Sequence, residues 1–333
     1  MIILLIHPEN DPAGAGYNLY HALRKYTNHE VYHIVGMPTF IHQTQINFIK
    51  DYNIILGSAL KNYEYDKLEY LVNKADVLHF SQWDWTRQVL GAVNGLNGVP
   101  YTFKDIMRRK DQKLFFQGHG GAWLLDPDKR MEIYKKYNCK VITCSPIDEK
   151  VIPGAIWMPN ILGLDYFDFS PDWNRDFNGK LIASLANICP VYKGGEIVEY
   201  VFDYLNRFGY EIEFNIIKNL IKEDCIKLRK KHHITIDNWT QGFTGFAGME
   251  GLALGHIVFA RLDPLAIKNW YKKFDKLPPF ENIIGMDECA KRIREYYNNR
   301  ELMKHQCWIN RMWIEKYYSD KKIIKIWENL YES

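Results

Sequence analysis

Short apolar runs alternate with helix-like runs along the chain, and this alternation limits the possible folds more than any single motif does. MIILLIH (1–7) reads as a strand and GAGYNLYHALRKYT (14–27) as a helix. EVYHIVG (30–36) and DVLHFS (76–81) read as strands, with the helix-like KLEYLVNKA (67–75) before the second. KLFFQGH, KVITCS, AIWMPN, LIASLA, EIEFNII, ITIDN and IVFARL follow as further strands. Strands joined through helices pair in parallel, so the expected class is α/β with doubly wound sheets. The runs are continuous in Ile, Val and Phe, as strands covered on both faces should be.

At 333 residues the chain is long for one core and suits two. PNILGLDYFDFSPDWNRDFNGK (159–180) mixes Pro, Gly, Asp and Asn without periodicity, and a second strand-helix series starts after it. We therefore expect a first domain over residues 1–165, a second over 166–312 and a terminal helix over 313–333. From Glu288 to the end the sequence reads as helical throughout, with Trp308, Ile309, Met312, Trp313, Tyr317, Ile323, Ile324, Trp327 and Leu330 largely at helical spacing.

Composition excludes several classes. Hydrophobic residues make up 47% and charged residues 25%, which argues against long disorder. A net charge of +3 does not by itself point to nucleic acid. No run approaches the roughly 18 apolar residues of a membrane span. MIILLIHPEN lacks a basic leader and reads as a first strand rather than a signal peptide. Cys139, Cys144, Cys189, Cys225, Cys289 and Cys307 contain no C-x-x-C pair and read as reduced thiols, so a cytosolic location is expected. No His, Asp or Cys cluster has metal-ligand spacing, so no metal is expected.

Ligands of open parallel sheets bind beyond the carboxyl ends of the strands, and the informative loops lie there. Gly14 and Gly16 follow the first strand and let the backbone approach a ligand, although glycine-rich strand-helix turns are common. His119 stands between Gly118 and Gly120 after KLFFQ, where a site histidine is favoured over a structural one. In the second half, Lys193 precedes Gly194 and Gly195 at a helix start. A cation beside free amides is a natural diphosphate cradle; the alternative is a surface lysine near a turn. The stretch GFTGFAGMEGLALG (242–255) sets one acid, Glu250, among glycines. We expect its helix to start near Ala247 with Glu250 in the first turn. There it either answers the helix dipole or accepts hydrogen bonds from a vicinal diol such as ribose. Gly242 and Gly245 keep the backbone low beside it. The aromatic rings, 15% of the chain, can fill cores or line sugar and base sites.

Taken in order, DPAGAG, QGHGG, VITCSPIDEKVIPGAIWMPNILGLDYFDFSP, KGGE and DNWTQGFTGFAGMEGLALG resemble the glycosyltransferases of the GT-B fold, and family 4 among them, over nearly the whole chain. The resemblance implies two Rossmann-like domains facing a cleft, the first on the acceptor side and the second on the nucleotide-sugar side. It also implies a last helix that crosses back to the first domain. The implied activity is transfer of a sugar from a nucleotide-sugar, a UDP- or GDP-sugar, to an acceptor hydroxyl. Configuration is retained, with no obligatory metal and no other cofactor. Catalytic roles map to His119, Lys193 and Glu250. Donor contacts map to Gly14, Gly16, Lys193, Gly194, Gly242, Gly245, Glu250 and Gly251. Two features depart from the family pattern. A second glutamate common upstream is replaced by Gly242, and no arginine stands near Lys193, which leaves Arg261 as a substitute.

The acceptor side carries Trp83, Trp85, Arg108 and Arg109, which read either as a packed aromatic end and a solvated basic face or as an anionic-acceptor site. That acceptor is a glycan, DNA with hydroxymethylated bases, or a lipid-linked sugar, so a peripheral place on a membrane or nucleic acid stays open. A nucleotide-sugar-binding protein or an epimerase without transfer remains the competing class.

Overall fold

The computed structural model describes residues 1–7, 14–35, 54–55, 67, 70–81, 109, 111–118, 131–132, 134–135, 138–186 and 190–333. The chain forms two compact units, residues 1–163 with 320–333, and residues 164–319.

The first unit is built on a seven-stranded parallel sheet. Its strands are β1 (Ile2–His7), β2 (Glu30–Val35), β3 (Ile54–Ile55), β4 (Val77–Ser81), β5 (Lys113–Gly118), β6 (Cys139–Thr143) and β7 (Ile156–Trp157), in the order β3-β2-β1-β4-β5-β6-β7. Ile3, Leu4, Leu5 and Ile6 of β1 are buried, as the unbroken apolar run requires. Helix α1 (Ala15–Tyr26) follows β1 and closes with Arg24 and Lys25, which suit its negative end. The run expected as a strand at AIWMPN yields only the two residues of β7.

The second unit has a five-stranded parallel sheet of β8 (Leu181–Ala186), β9 (Ile212–Ile217), β10 (Ile234–Ile236), β11 (Ile257–Ala260) and β12 (Glu281–Asn282), in the order β12-β11-β10-β8-β9. β12 is two polar residues, which no apolar pattern announces. Helices α2 (Gly195–Arg207), α3 (Lys222–Arg229), α4 (Phe246–Ala253) and α5 (Pro264–Phe274) connect the strands, and α6 (Met286–Asn298) and α7 (Arg300–Tyr317) follow. α2 packs beside α6 and α4 beside α7.

The C-terminal stretch is three helices rather than one. Asn299 accepts from Leu302 N at 3.0 Å and starts α7 anew, and Tyr318–Ser319 separate α7 from α8 (Asp320–Glu332). Residues 313–319, expected with the last helix, belong to the second unit. Trp313 and Tyr318 pack there on Trp270, with centroids 6.1 and 5.9 Å from its ring. α8 belongs to the first unit and packs on α1. Trp327 Nε1 donates to Pro159 O at 2.9 Å, and Tyr331 Oη meets His79 Nδ1 at 2.6 Å. Among the described residues no helix is long and apolar enough to cross a membrane.

Candidate functional site

In the second unit the chain lays β9 on one side of β8 and then adds β10, β11 and β12 on the other. The connections leaving β8 and β10 therefore diverge, and a crevice opens beyond their carboxyl ends, where ligands of such sheets bind. Lys193 leaves β8 and Asp237 leaves β10, so both reach this point.

Pro190–Lys193 form a single 3₁₀ turn, and Gly194 turns the chain into α2 with φ 78° and ψ 33°. A Cβ on Gly194 would lie 2.8 Å from Trp239 Cβ, so both conformation and space demand glycine. No side chain caps the first amides of α2. The two loops are tied together, because Trp239 N donates to Lys193 O at 3.1 Å and Thr240 Oγ1 donates to Tyr192 O.

Asp237 is fully buried. Lys193 Nζ pairs with its Oδ1, and Gly245 N donates to its Oδ2. A buried carboxylate needs such partners, since leaving it bare in the interior is costly. The ammonium uses one of its three N–H groups on Asp237, and the Lys193 side chain is 13% exposed. Gly245 precedes α4, whose first amides also lack a side-chain cap. A Cβ on Gly245 would lie 3.2 Å from Lys193 Nζ, and one on Gly248 would lie 2.6 Å from Asp237 Oδ2. On Gly251 it would lie 2.9 Å from Thr235 Oγ1. The glycines around Glu250 thus let α4 lie flat on β10, with Lys193 at its opening end. Sequence reasoning missed Asp237. The only available signal was an acid directly after the strand ITI.

Glu250 sits a full turn inside α4, which starts at Phe246 and has no acid in its first turn. The first-turn expectation is therefore corrected: cations hold Glu250, not free amides. Arg229 Nη1 donates to Oε2 at 2.8 Å, and Lys222 Nζ lies 3.4 Å from Oε1. Arg229 is itself fully buried and also donates to Thr235 Oγ1 at 3.3 Å and Ala247 O at 2.7 Å. Lys222 stands over the Phe167 ring at 4.4 Å. Four lone-pair positions on Glu250 against these two cations leave acceptor capacity for a diol.

Gly242 has φ 80°, a left-handed conformation that glycine takes freely and a glutamate would not. The departure from the family pattern at 242 is thus written into the backbone. Arg261 follows β11, is exposed, and its guanidinium makes no ion pair or hydrogen bond among the described residues.

The remaining candidates divide. Gly14 and Gly16 lie in the first unit. Gly14 caps α1 at φ 69°, and a Cβ on Gly16 would lie 2.0 Å from the His7 ring. His119, Trp83, Trp85 and Arg108 lie outside the described residues. Arg109 donates to Asp76 Oδ1 at 2.8 Å and to Ala75 O at 3.2 Å, and Asp76 also accepts from Ile2 N at 2.8 Å. Asp76 precedes β4 and Arg109 precedes β5, so the pair lies at the amino ends of the strands, the edge opposite to ligand binding. Arg109 thus clamps the strand starts.

No protein-family model matches the chain, and no curated protein sequence matches it. Solved structures do. An α-glucosyltransferase in complex with UDP and a 13-mer DNA containing an HMU base shares 12% identity at a TM-score of 0.68, covering 100% of this chain and 99% of that one. HepE from Anabaena, in complex with UDP and glucose, shares 12% at 0.64 with full coverage of both. Sucrose-phosphate synthase from Thermosynechococcus elongatus shares 13% at 0.62, covering 100% and 98%. Two Rossmann-like parallel-sheet units in this arrangement of the chain are the GT-B glycosyltransferase fold.

Proposed function

We propose that the protein is a glycosyltransferase that moves a sugar from a nucleotide-sugar donor to an acceptor hydroxyl. The convergence of Lys193 Nζ with the uncapped amides of α2 and α4, at the point where the second sheet reverses its order, carries this reading. A diphosphate there meets one ammonium and two helix N-termini, and their charge matters most as negative charge grows on the leaving group. Asp237 holds the ammonium in place. Arg261 supplies a second cation from the next strand end, in the place of the arginine absent near Lys193. Glu250 receives the donor ribose, with its carboxylate oriented by Arg229 and Lys222. His119, outside the described residues, takes a catalytic role on the resemblance alone. The donor is a UDP-sugar, or a GDP-sugar as the second choice. The family is glycosyltransferase family 4, transfer retains configuration, and no metal is obligatory.

As acceptor we favour DNA carrying hydroxymethylated bases over a glycan or a lipid-linked sugar. The structural neighbour solved with UDP and an HMU-containing DNA, alike over the whole chain, supports this choice. The test has two arms. Calorimetric titration with UDP and GDP should show binding that weakens in Lys193→Gln. Incubation with labelled UDP-glucose and either hydroxymethylated or unmodified duplex should label the modified duplex only. Binding without transfer to any acceptor, and without donor hydrolysis, would leave a nucleotide-sugar-binding protein. Absence of nucleotide binding would sink the reading altogether.

A further inference from the structure

The last two turns of α8 carry Glu328 and Glu332, four residues apart and so on one face of the helix. His29, in the connection between α1 and β2, meets that face. Its side chain is only 10% exposed, and Nε2 is sealed from solvent without a hydrogen-bond partner, 3.4 Å from Glu328 Oε1. A buried polar atom without a partner calls for an explanation. The ligand atoms of His29, Glu328 and Glu332 all lie within 4.8 Å of one another. Zinc bonds of about 2.0–2.2 Å put ligand atoms roughly 3–4 Å apart, so a small rotation of the exposed Glu332 closes the set.

We propose that His29, Glu328 and Glu332 bind a divalent ion of the zinc class, with water completing its coordination. One nitrogen and two carboxylates suit such an ion better than magnesium, which favours oxygen alone. The carboxyl end of α8 adds a negative dipole. The Lys113 ammonium at this helix end is spent on backbone carbonyls: its Nζ donates to Tyr331 O at 2.9 Å and to Glu332 O at 2.6 Å. The site lies at the amino ends of the strands, away from the ligand edge, and its ion would fasten α8 to the start of β2.

The experiment uses chelator-treated, tag-free full-length protein. Zinc should raise the melting temperature of the wild type and titrate at one site, and magnesium at equal concentration should do neither. Glu332 is exposed and makes no described ion pair, so Glu332→Gln should melt as the wild type does without metal. With zinc it should lose the rise and bind at least about tenfold more weakly, since even second-shell losses cost that much. His29→Gln should behave alike with zinc. Equal zinc affinity in wild type and Glu332→Gln would place the ion elsewhere and overturn the proposal. So would no zinc binding, or magnesium acting as well as zinc.

Discussion

Glu250 shows how a residue singled out for a ligand is also held by the fold. Arg229 is buried against it, so Glu250→Ala strands a guanidinium in the interior. We expect a loss of about 3–5 kcal/mol in chemical denaturation, against about 1 kcal/mol for a bare dipole contact. A loss below about 1 kcal/mol would show that Thr235 Oγ1 and Ala247 O suffice to hold Arg229. Lys193→Gln should lower kcat more than it raises the donor KM, because its charge acts most strongly on the departing diphosphate. A change confined to KM would make it a ground-state anchor. His233 offers a pH test in the same unit. Its Nδ1 accepts from Ile182 N and its Nε2 donates to Asp176 O, both at 3.0 Å, an arrangement that needs the neutral ring. Burial, followed by the Arg175 charge, lowers its pKa to about 4. The unfolded chain therefore takes up the proton first. The stability that His233 contributes is intact above about pH 6.5 and is lost as pH falls from there towards 4, on the order of 3 kcal/mol in all. Melting temperature against pH should show this slope, and His233→Gln should flatten it.

At the scale of the element, α4 is fastened at both ends. Asp237 takes the Gly245 amide at its positive end. At the other end Glu250 O, Gly251 O and Leu252 O accept from Leu254, His256 and Gly255 N, and Ala253 O accepts from Arg311 at 2.7 Å. Arg175 takes the next two carbonyls, Leu254 O and Gly255 O. The last four carbonyls, which a helix cannot satisfy internally, are all used. Gly255 at φ 65° makes the stop that the sequence LALG announces. Glycine inside a helix normally costs about 1 kcal/mol relative to alanine. At Gly248 the sign should reverse, because the added methyl meets Asp237 at 2.6 Å and forces the pair with Lys193 to move. We expect Gly248→Ala to destabilise by about 1–3 kcal/mol. Gly285→Ala, with nothing within 4 Å, should stay within about 0.5 kcal/mol. Equal melting of the two variants would refute the close packing of α4 on β10.

At the scale of the whole molecule, the chain leaves the first unit after Gly163 and returns at Asp320. These two points meet, since Gly163 N donates to Asp320 Oδ1 at 3.3 Å. α8 then buries Ile323, Ile324, Trp327 and Tyr331 in the first unit. Four such side chains at roughly 1.5–3 kcal/mol each amount to about 6–12 kcal/mol, comparable with the whole stability of a domain. Ending the chain at Ser319 should therefore leave residues 1–163 open to limited proteolysis while 164–319 resist it. Equal resistance of both would show that α8 is dispensable.

The sequence alone determined the alternation of strands and helices, the two sheets, and the loops worth watching, because buried parallel strands must be apolar throughout and glycine is needed where a chain turns left-handed. Gly194 was legible as part of a helix start, whereas its left-handed conformation, at φ 78°, belongs to the fold. The break at Tyr318–Ser319, the short β12 and the partners of Glu250 were not legible. Helical spacing continues across a break, two polar residues carry no period, and Arg229 stands 21 residues from the acid it meets. Asp237 and Lys193 are 44 residues apart, and only the reversal of strand order at β8 sets one against the other. Local pattern fixes which elements form, whereas the pairing of charges in an interior depends on which strands become neighbours, and that only the folded sheet decides.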